Sequence, residues 1–338
     1  MTVRENVPLA SLTTLHIGGA ARYFIEAKSV DDVREALHFA SEKNLTLFVL
    51  GAGSNLLVPD EGVNGVVLKI MMDGIEYRIA GEECRIIADA NARWDDVVDA
   101  AIGRGLFGIE NLAGVPGTAG GAVVQNIGAY GAELAQVVEY IDAIDRAAGT
   151  SIRLSRAQAA FGYRTSVFKE KNNLIITRAT LILLAHGRLN VAYPDLVRVQ
   201  RAGAALITPK DVAQAVRAIR SDKFPQNGEA GTAGSFFKNP VIPKKRAEDL
   251  VRRYPGLPVF LQKGGLAKLS LAWLLDHALS LKGYAVGGAR LYEKQPLVIV
   301  THGGATAKDV DTLAQEVAAR VQDATGIVIE REVETFGR

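Results

Sequence analysis

The chain has 338 residues, 48% of them hydrophobic and 22% charged, an ordinary composition for a folded globular protein. Its 39 basic residues against 37 acidic ones leave a net charge of +2, too close to balance to mark a surface for nucleic acid or an anionic membrane. The length exceeds the roughly 250–300 residues at which a single hydrophobic core stops growing, so two or more domains are expected.

In chain order, Met1-Thr2-Val3-Arg4-Glu5-Asn6 lacks the apolar centre of a signal peptide. Arg22–Glu26 reads as a strand, and Val33, Ala36, Leu37 and Ala40 carry the helical period behind a capping box of Ser29 and Asp32. Leu45–Leu50, Gly65–Ile70 and Arg85–Ala88 are short runs of strand composition. Cys84, the single cysteine, has no partner for an internal disulfide, and with the opening residues it sets the expectation of a cytoplasmic protein. A helix is expected from Trp94 through Val97, Ala100, Ala101 and Arg104, then strands over Tyr140–Asp145 and Leu174–Leu184. Thr208-Pro209 opens a helix through Val212, Ala215, Val216 and Ile219, with proline where its missing N–H does no harm. Further helices are expected through Leu271, Leu274, Leu275 and Ala278 and through Val310, Leu313, Val317 and Val321, with strands over Leu297–Thr301 and Gly326–Thr335. The class is α+β or mixed α/β. Phe224-Pro225-Gln226-Asn227-Gly228 is a turn-rich joint that places a domain boundary near Asp222. The most apolar runs, Leu181–Ala185 and Pro296–Val300, are far shorter than the ~20 residues a bilayer crossing needs, so no membrane span is expected.

Two glycine loops stand out. Gly51-Ala52-Gly53-Ser54-Asn55-Leu56-Leu57-Val58-Pro59 follows a strand, but Leu56 replaces the third glycine of the dinucleotide fingerprint and Pro59 opposes a helix where one is needed. Two readings stand equally here: a nest of backbone N–H groups for a phosphate, with Ser54 and Asn55 adding donors, or a plain hairpin turn. Between Gly114 and Gly131 lie six glycines. Each costs roughly 0.5–1 kcal/mol of chain entropy inside an element, so their density suggests backbone lying against a ligand. Pro116 and Thr118 can start a short helix whose first amides face a pyrophosphate, and two phosphate-binding loops suit a dinucleotide such as FAD. Neither loop continues into G-K-[ST], which argues against an ATP-hydrolysing P-loop.

The five histidines are scattered singly, no cluster has metal-ligand spacing, and Cys84 has no base beside it, so metal and nucleophilic hydrolysis find no support. Phe161-Gly162-Tyr163-Arg164 puts a guanidinium among aromatics, where it either pairs with a substrate carboxylate or stacks on a ring. Gly234-Ser235-Phe236-Phe237 places a hydroxyl in a partly dry setting, or is a turn packed by phenylalanine. In the last strand Ile327, Ile329 and Val333 share one face, while Glu330, Glu332 and Glu334 share the other, a solvated face for at least two of the three.

Seven separated segments stand in one order: Thr13–Gly19, Leu50–Leu57, Asn111–Gly131, Phe161–Lys169, Ser221–Pro225, Gly234–Pro240 and the Glu330 strand. Through them the chain resembles the bacterial UDP-N-acetylenolpyruvoylglucosamine reductase family nearly end to end. The resemblance implies an α+β fold with an FAD-binding domain of the vanillyl-alcohol-oxidase (PCMH) type over 1–220, in subdomains of about 1–70 and 71–220. A smaller substrate-binding domain over 221–338 follows, whose last strand, 326–335, returns a catalytic glutamate to the flavin site. Tyr193-Pro194-Asp195 resembles the longer of the family's two types, in which a tyrosine loop closes over substrate.

The same resemblance implies non-covalent FAD, NADPH as co-substrate and UDP-N-acetylenolpyruvoylglucosamine as substrate. No nucleic acid or membrane partner is expected, and the chain is expected to be a monomer. NADPH would reduce the flavin and leave; the substrate then takes hydride at C3 and a proton at C2, with charge building up on its carboxylate. Carried over by motif, Arg164 falls on the carboxylate-stabilising arginine, Ser235 on the proton donor and Glu330 on the catalytic glutamate. Glu330 would serve best protonated, which burial beside flavin favours. Tyr193, Lys223, Asn239 and Gln295 fall on substrate-holding positions, and Gly51, Gly53, Ser54, Asn55, Gly117, Thr118 and Gly121 on FAD contacts. Thr165 departs from the acidic residue common after the arginine, and Glu332 shares the face of Glu330, so the carry-over can also fall one repeat on.

Overall fold

The structure, a computed structural model, describes residues 1–171, 173–225 and 230–337. The chain divides into two compact units: Met1–Val7, Ala21–Ala52 and Asn64–Ser221 form the first, and Pro8–Ala20, Gly53–Val63 and Asp222–Arg338 the second.

In the first unit a four-stranded sheet runs in the order Val3–Pro8, Ala20–Ala27, Val63–Ile70, Leu47–Leu50. The last two are parallel, with Leu50 opposite Lys69. The helix Val30–Glu42 begins at the expected box, where the Ser29 hydroxyl accepts from the Asp32 N–H and the Asp32 carboxylate accepts from the Ser29 N–H. It buries Val33, Ala36 and Ala40. A five-stranded sheet follows, in the order Ser151–Ser155, Val138–Asp145, Leu174–Leu184, Glu83–Asp89, Ile75–Ala80, with every pairing antiparallel. The two sheets share one continuous core, in which Ile25, Val66 and Leu68 meet Ile86, Val97 and Leu181 across the expected division at about residue 70.

In the second unit, Gly231–Ser235, Val298–Thr301, Ala289–Leu291 and Ala285–Val286 form an antiparallel sheet in that order. A smaller one runs Val241–Pro243, Leu266–Leu269, Val259–Gln262. The helix Ala307–Thr325 has a Thr306/Asp309 capping box and ends at Gly326, whose φ of +68° is the left-handed cap that glycine adopts without strain. Val310, Leu313, Val317 and Val321 are fully buried, a gross gain on the order of 10 kcal/mol before chain entropy is charged. Two early segments belong here because long-range bonds hold them. The Thr301 hydroxyl donates to the Leu15 carbonyl at 2.7 Å, the Thr232 N–H to the Thr14 carbonyl at 2.8 Å, and Leu56–Leu57 pairs in parallel with Glu334–Thr335. The second unit therefore adds Pro8–Ala20 and Gly53–Val63 to the stretch that begins at Asp222.

Two expectations change. Gly326–Thr335 is not one strand: Gly326 caps the long helix, 327–330 joins no ladder, Arg331 makes a single bridge with Phe237, and only Glu334–Thr335 pairs further. The period through Leu271–Ala278 gives one α-turn, Leu271–Trp273, which then widens into π-type turns over Leu274–Ala278 as the Leu279 N–H reaches back five residues to Leu274. The units change over along the chain between Ser221 and Asp222, where the boundary was expected; the helix Pro209–Lys223 ends just before Phe224-Pro225, and Gln226-Asn227-Gly228 lie outside the described residues.

Candidate active site

The chain leaves the Leu47–Leu50 strand at Gly51 and passes from the first unit into the second between Ala52 and Gly53. Leu56–Leu57 pairs with Glu334–Thr335 and not with Leu47–Leu50, so the plain hairpin reading of this loop falls. In the first unit Lys69 donates from its ammonium to the Gly51 carbonyl. A Cβ on Gly51 would lie 3.3 Å from the Thr118 hydroxyl, so folding brings the two glycine loops of the sequence together.

Thr118 caps the seven-residue helix Ala119–Gln125, its hydroxyl accepting from the Gly121 N–H at 3.3 Å. The first amides of this helix are already used, Ala119 donating to the Ala92 carbonyl and Gly120 to that of Ala90. The expectation that they face a pyrophosphate is thereby corrected to their neighbours. The N–H groups of Ala52, Gly117 and Thr118 find no acceptor among the described residues, nor does the hydroxyl proton of Thr118, a residue only 5% exposed. Gly117, at φ +126°, holds a conformation that a side chain would oppose. A set of unfilled donors on two loops fits the diphosphate of FAD.

Behind these loops the first unit is tied by buried side-chain amides. Asn126, 1% exposed and left-handed at φ +43°, donates to the Gly162 carbonyl at 2.8 Å and to Glu133 at 3.4 Å, and accepts from the Ala135 N–H at 3.0 Å. Asn111 donates to the carbonyls of Tyr130 and Asn190 at 2.9 and 2.8 Å. The Asn126 bond sets the turn 162–165, which places Arg164 at φ +59°, an uncommon conformation for a non-glycine residue. Arg164 donates to the Gly128 carbonyl at 2.5 Å and lies 5.3 Å over the Tyr163 ring, so ring stacking and polar pairing are both present. Thr165, which departs from the acidic residue common in the family, donates to Glu170 at 3.2 Å.

Tyr193 caps the helix Pro194–Arg201 and meets Tyr130 edge to face at 5.3 Å. Partial burial pushes its phenol up from the ordinary value, helped by Asp195 and Tyr163, while Arg164 acts the other way. The Tyr130 phenol is pushed up to about 12 by burial, which outweighs the opposing charge and hydrogen bond of Arg220. Arg220 is itself pushed down by burial and donates to the Gly114 carbonyl at 2.9 Å.

In the second unit, a Cβ on Gly53 would fall 2.4 Å from the Leu12 carbonyl oxygen, and Gly53 sits at φ +64°, so only glycine fits. Asn55 donates to the Glu332 carbonyl at 3.0 Å, and Ser54 beside it is half-buried. Ser235 ends the strand Gly231–Ser235 opposite Val298, followed by the buried pair Phe236 and Phe237. Its backbone is fixed on both sides, with Gly234 at φ +75° and the Phe236 N–H donating to the Leu297 carbonyl at 2.7 Å. Its half-buried hydroxyl has no hydrogen-bond partner among the described residues. Lys238 donates to the Glu330 carboxylate at 2.9 Å, and the Glu330 side chain is 71% exposed, so its own unit supplies it a cation and leaves its other face open. Glu332, half-buried, donates its N–H to the Phe236 carbonyl at 2.8 Å.

Asn239 accepts from the Leu271 N–H at 2.9 Å, which leaves its NH₂ without an acceptor among the described residues. Gln295 accepts the Val298 N–H on its backbone carbonyl, and its side-chain oxygen is buried with no donor among the described residues. Lys223 ends the helix Pro209–Lys223. Sequence reading gave no role to Asn126, Tyr130, Arg220 or Lys69; the last was detectable as the one cation in the apolar run Val66–Ile70.

Among the described residues no group of histidine, cysteine, aspartate and glutamate can hold a metal ion, and no helix is long and apolar enough to cross a membrane. A family model described as UDP-N-acetylenolpyruvoylglucosamine reductase, C-terminal domain, matches residues 226–336, and one described as an FAD binding domain matches 21–155. The UDP-N-acetylenolpyruvoylglucosamine reductase of Pseudomonas aeruginosa is 39% identical over 337 residues, 98% of each chain. That of Shewanella baltica is 35% identical over 331 residues, 97% of this chain and 96% of its own. The crystal structure of the Thermus caldophilus reductase superposes with a TM-score of 0.68 at 28% identity, covering 99% of both chains.

Proposed function

Because the chain belongs to the UDP-N-acetylenolpyruvoylglucosamine reductase family, and so is an FAD-dependent oxidoreductase of peptidoglycan synthesis, we propose that it uses NADPH to reduce the enolpyruvyl ether of UDP-N-acetylglucosamine to the D-lactyl ether. FAD, when bound, supplies the acceptor for hydride from NADPH and the donor of hydride to C3 of the substrate.

What the chain's own residues must then do follows from the charge this leaves at C2 and on the carboxylate. Arg164, aligned by the Gly128 carbonyl and the Tyr163 ring, pairs with the substrate carboxylate and stabilises the charge gathering there. Ser235 gives its proton to C2. A serine is a weak acid in water, so the assignment asks for a strongly basic carbon and a donor held in place. The single observation that carries this reading is the Ser235 hydroxyl, which is clamped by its backbone between Gly234 and two buried phenylalanines and has no partner among the described residues. Glu330 acts together with Lys238, whose ammonium it holds. Tyr193, Lys223, the NH₂ of Asn239 and the buried oxygen of Gln295 hold the sugar nucleotide.

The test is optical. The purified protein is expected to be yellow, to bleach with NADPH under anaerobic conditions, and to regain colour when the enolpyruvyl sugar nucleotide is added. Colour that returns with UDP-N-acetylglucosamine alone, or bleaching with no return, overturns the reading.

A further inference from the structure

We propose that Lys69 is a ligand of the cofactor's diphosphate, a cation that the first unit supplies beside the N–H groups of its two glycine loops; the inference rests on the FAD-dependent reading above. Lys69 stands one residue from the end of the strand Val63–Ile70, opposite Leu50, so it lies next to the strand end from which the Gly51 loop departs. Its ammonium spends one proton on the Gly51 carbonyl, and the other two find no acceptor among the described residues. Its chain neighbours, Leu68 and Ile70, are 0% and 4% exposed, and burial holds the ammonium below the ordinary lysine value, with Glu26 opposing. Glu26 is itself paired with Arg4 at 2.8 Å.

A partly desolvated cation with two idle donors is expensive unless an anion completes it. The surrounding groups select the same kind of ligand. Next to Gly51 in the chain is the unfilled Ala52 N–H, and the Thr118 hydroxyl lies 3.3 Å from a Cβ built on Gly51, with the unfilled amides of Gly117 and Thr118 in the same loop. An ammonium, a hydroxyl proton and three amides make a donor-rich surface, which suits a diphosphate and would be left unpaired against an apolar group.

The rival role for Lys69 is a tie that merely shapes the loop through Gly51. Riboflavin, which shares the ring of FAD and lacks the diphosphate, separates the two. Full-length protein freed of flavin is titrated with each compound. Lys69→Met is expected to weaken FAD binding roughly 10–100-fold and to leave riboflavin within about twofold, with Lys69→Arg within about fivefold of the parent for both. FAD binding unchanged in Lys69→Met, or FAD and riboflavin weakened alike, overturns the proposal. Where the methionine variant does not fold, the parent protein decides. Acetylation of Lys69 by acetic anhydride, read by mass spectrometry, should fall sharply when FAD is added and not when riboflavin is added, and equal labelling in the two cases overturns the proposal. A parent protein that takes up no FAD at all overturns the reading beneath it instead.

Discussion

In the first unit polar side chains around the candidate site tie one loop to another: buried Asn126 bonds Gly162, Glu133 and Ala135, buried Asn111 bonds the Tyr130 and Asn190 carbonyls, and half-buried Arg220 bonds the Gly114 carbonyl. In the second unit the residues assigned to chemistry stand on exposed or half-exposed edges, with Ser235 unpartnered among the described residues and Glu330 paired only with Lys238. The first unit spends most of its buried polar groups on shape. The other keeps a few side-chain atoms free for a reacting molecule, which costs little stability because water can reach them.

The difference can be broken by mutation. Asn126→Ala removes three hydrogen bonds of a buried residue at positive φ, and its loss is expected to cost about 3–4 kcal/mol in urea unfolding, with FAD uptake impaired. A cost below about 1 kcal/mol would show that the first unit is not held by this network. Tyr130 sharpens the contrast through pH. Its folded value of about 12 lies above the ordinary tyrosine value of 10, so the native state keeps the phenol proton longer than the unfolded chain does. Its contribution is complete below pH 10 and is lost as pH rises towards 12, by roughly 2–3 kcal/mol. Denaturant melts across that window should show the loss in the parent protein and a shallower one in Tyr130→Phe. At the small end, Glu330→Gln removes an exposed ion pair and should change stability by less than about 1 kcal/mol. A larger loss would place Glu330 among the structural groups and erase the contrast.

The same contrast governs how much was legible in the sequence. Helices with local start signals stood out: Ser29/Asp32 closes a capping box within four residues, and Thr208-Pro209 marks the start of Pro209–Lys223. Strands defined only by distant partners did not. Gly231–Ser235 has almost no β-branched composition and becomes a strand because Val298–Thr301 lies beside it. The alternation over Ile327–Val333 truly marks which side chains are buried, but burial on one face does not supply a ladder, and pairing is confined to Arg331 and Glu334–Thr335. The glycine loops announced themselves through entropy that nothing local repays, whereas the donors that line them are set by long-range bonds that no spacing encodes. The pairing of Glu330 with Lys238 depends on residues 92 positions apart.

The measurement closest to the central claim is anaerobic stopped-flow of Ser235→Ala, following flavin reduction by NADPH and flavin reoxidation by the enolpyruvyl sugar nucleotide separately. A proton donor that takes no part in folding predicts a thermal midpoint near that of the parent, reduction within about twofold, and reoxidation slower by roughly 10²–10⁴. Reoxidation at the parental rate, or the two half-reactions slowed equally, would contradict the assignment of the C2 proton to Ser235.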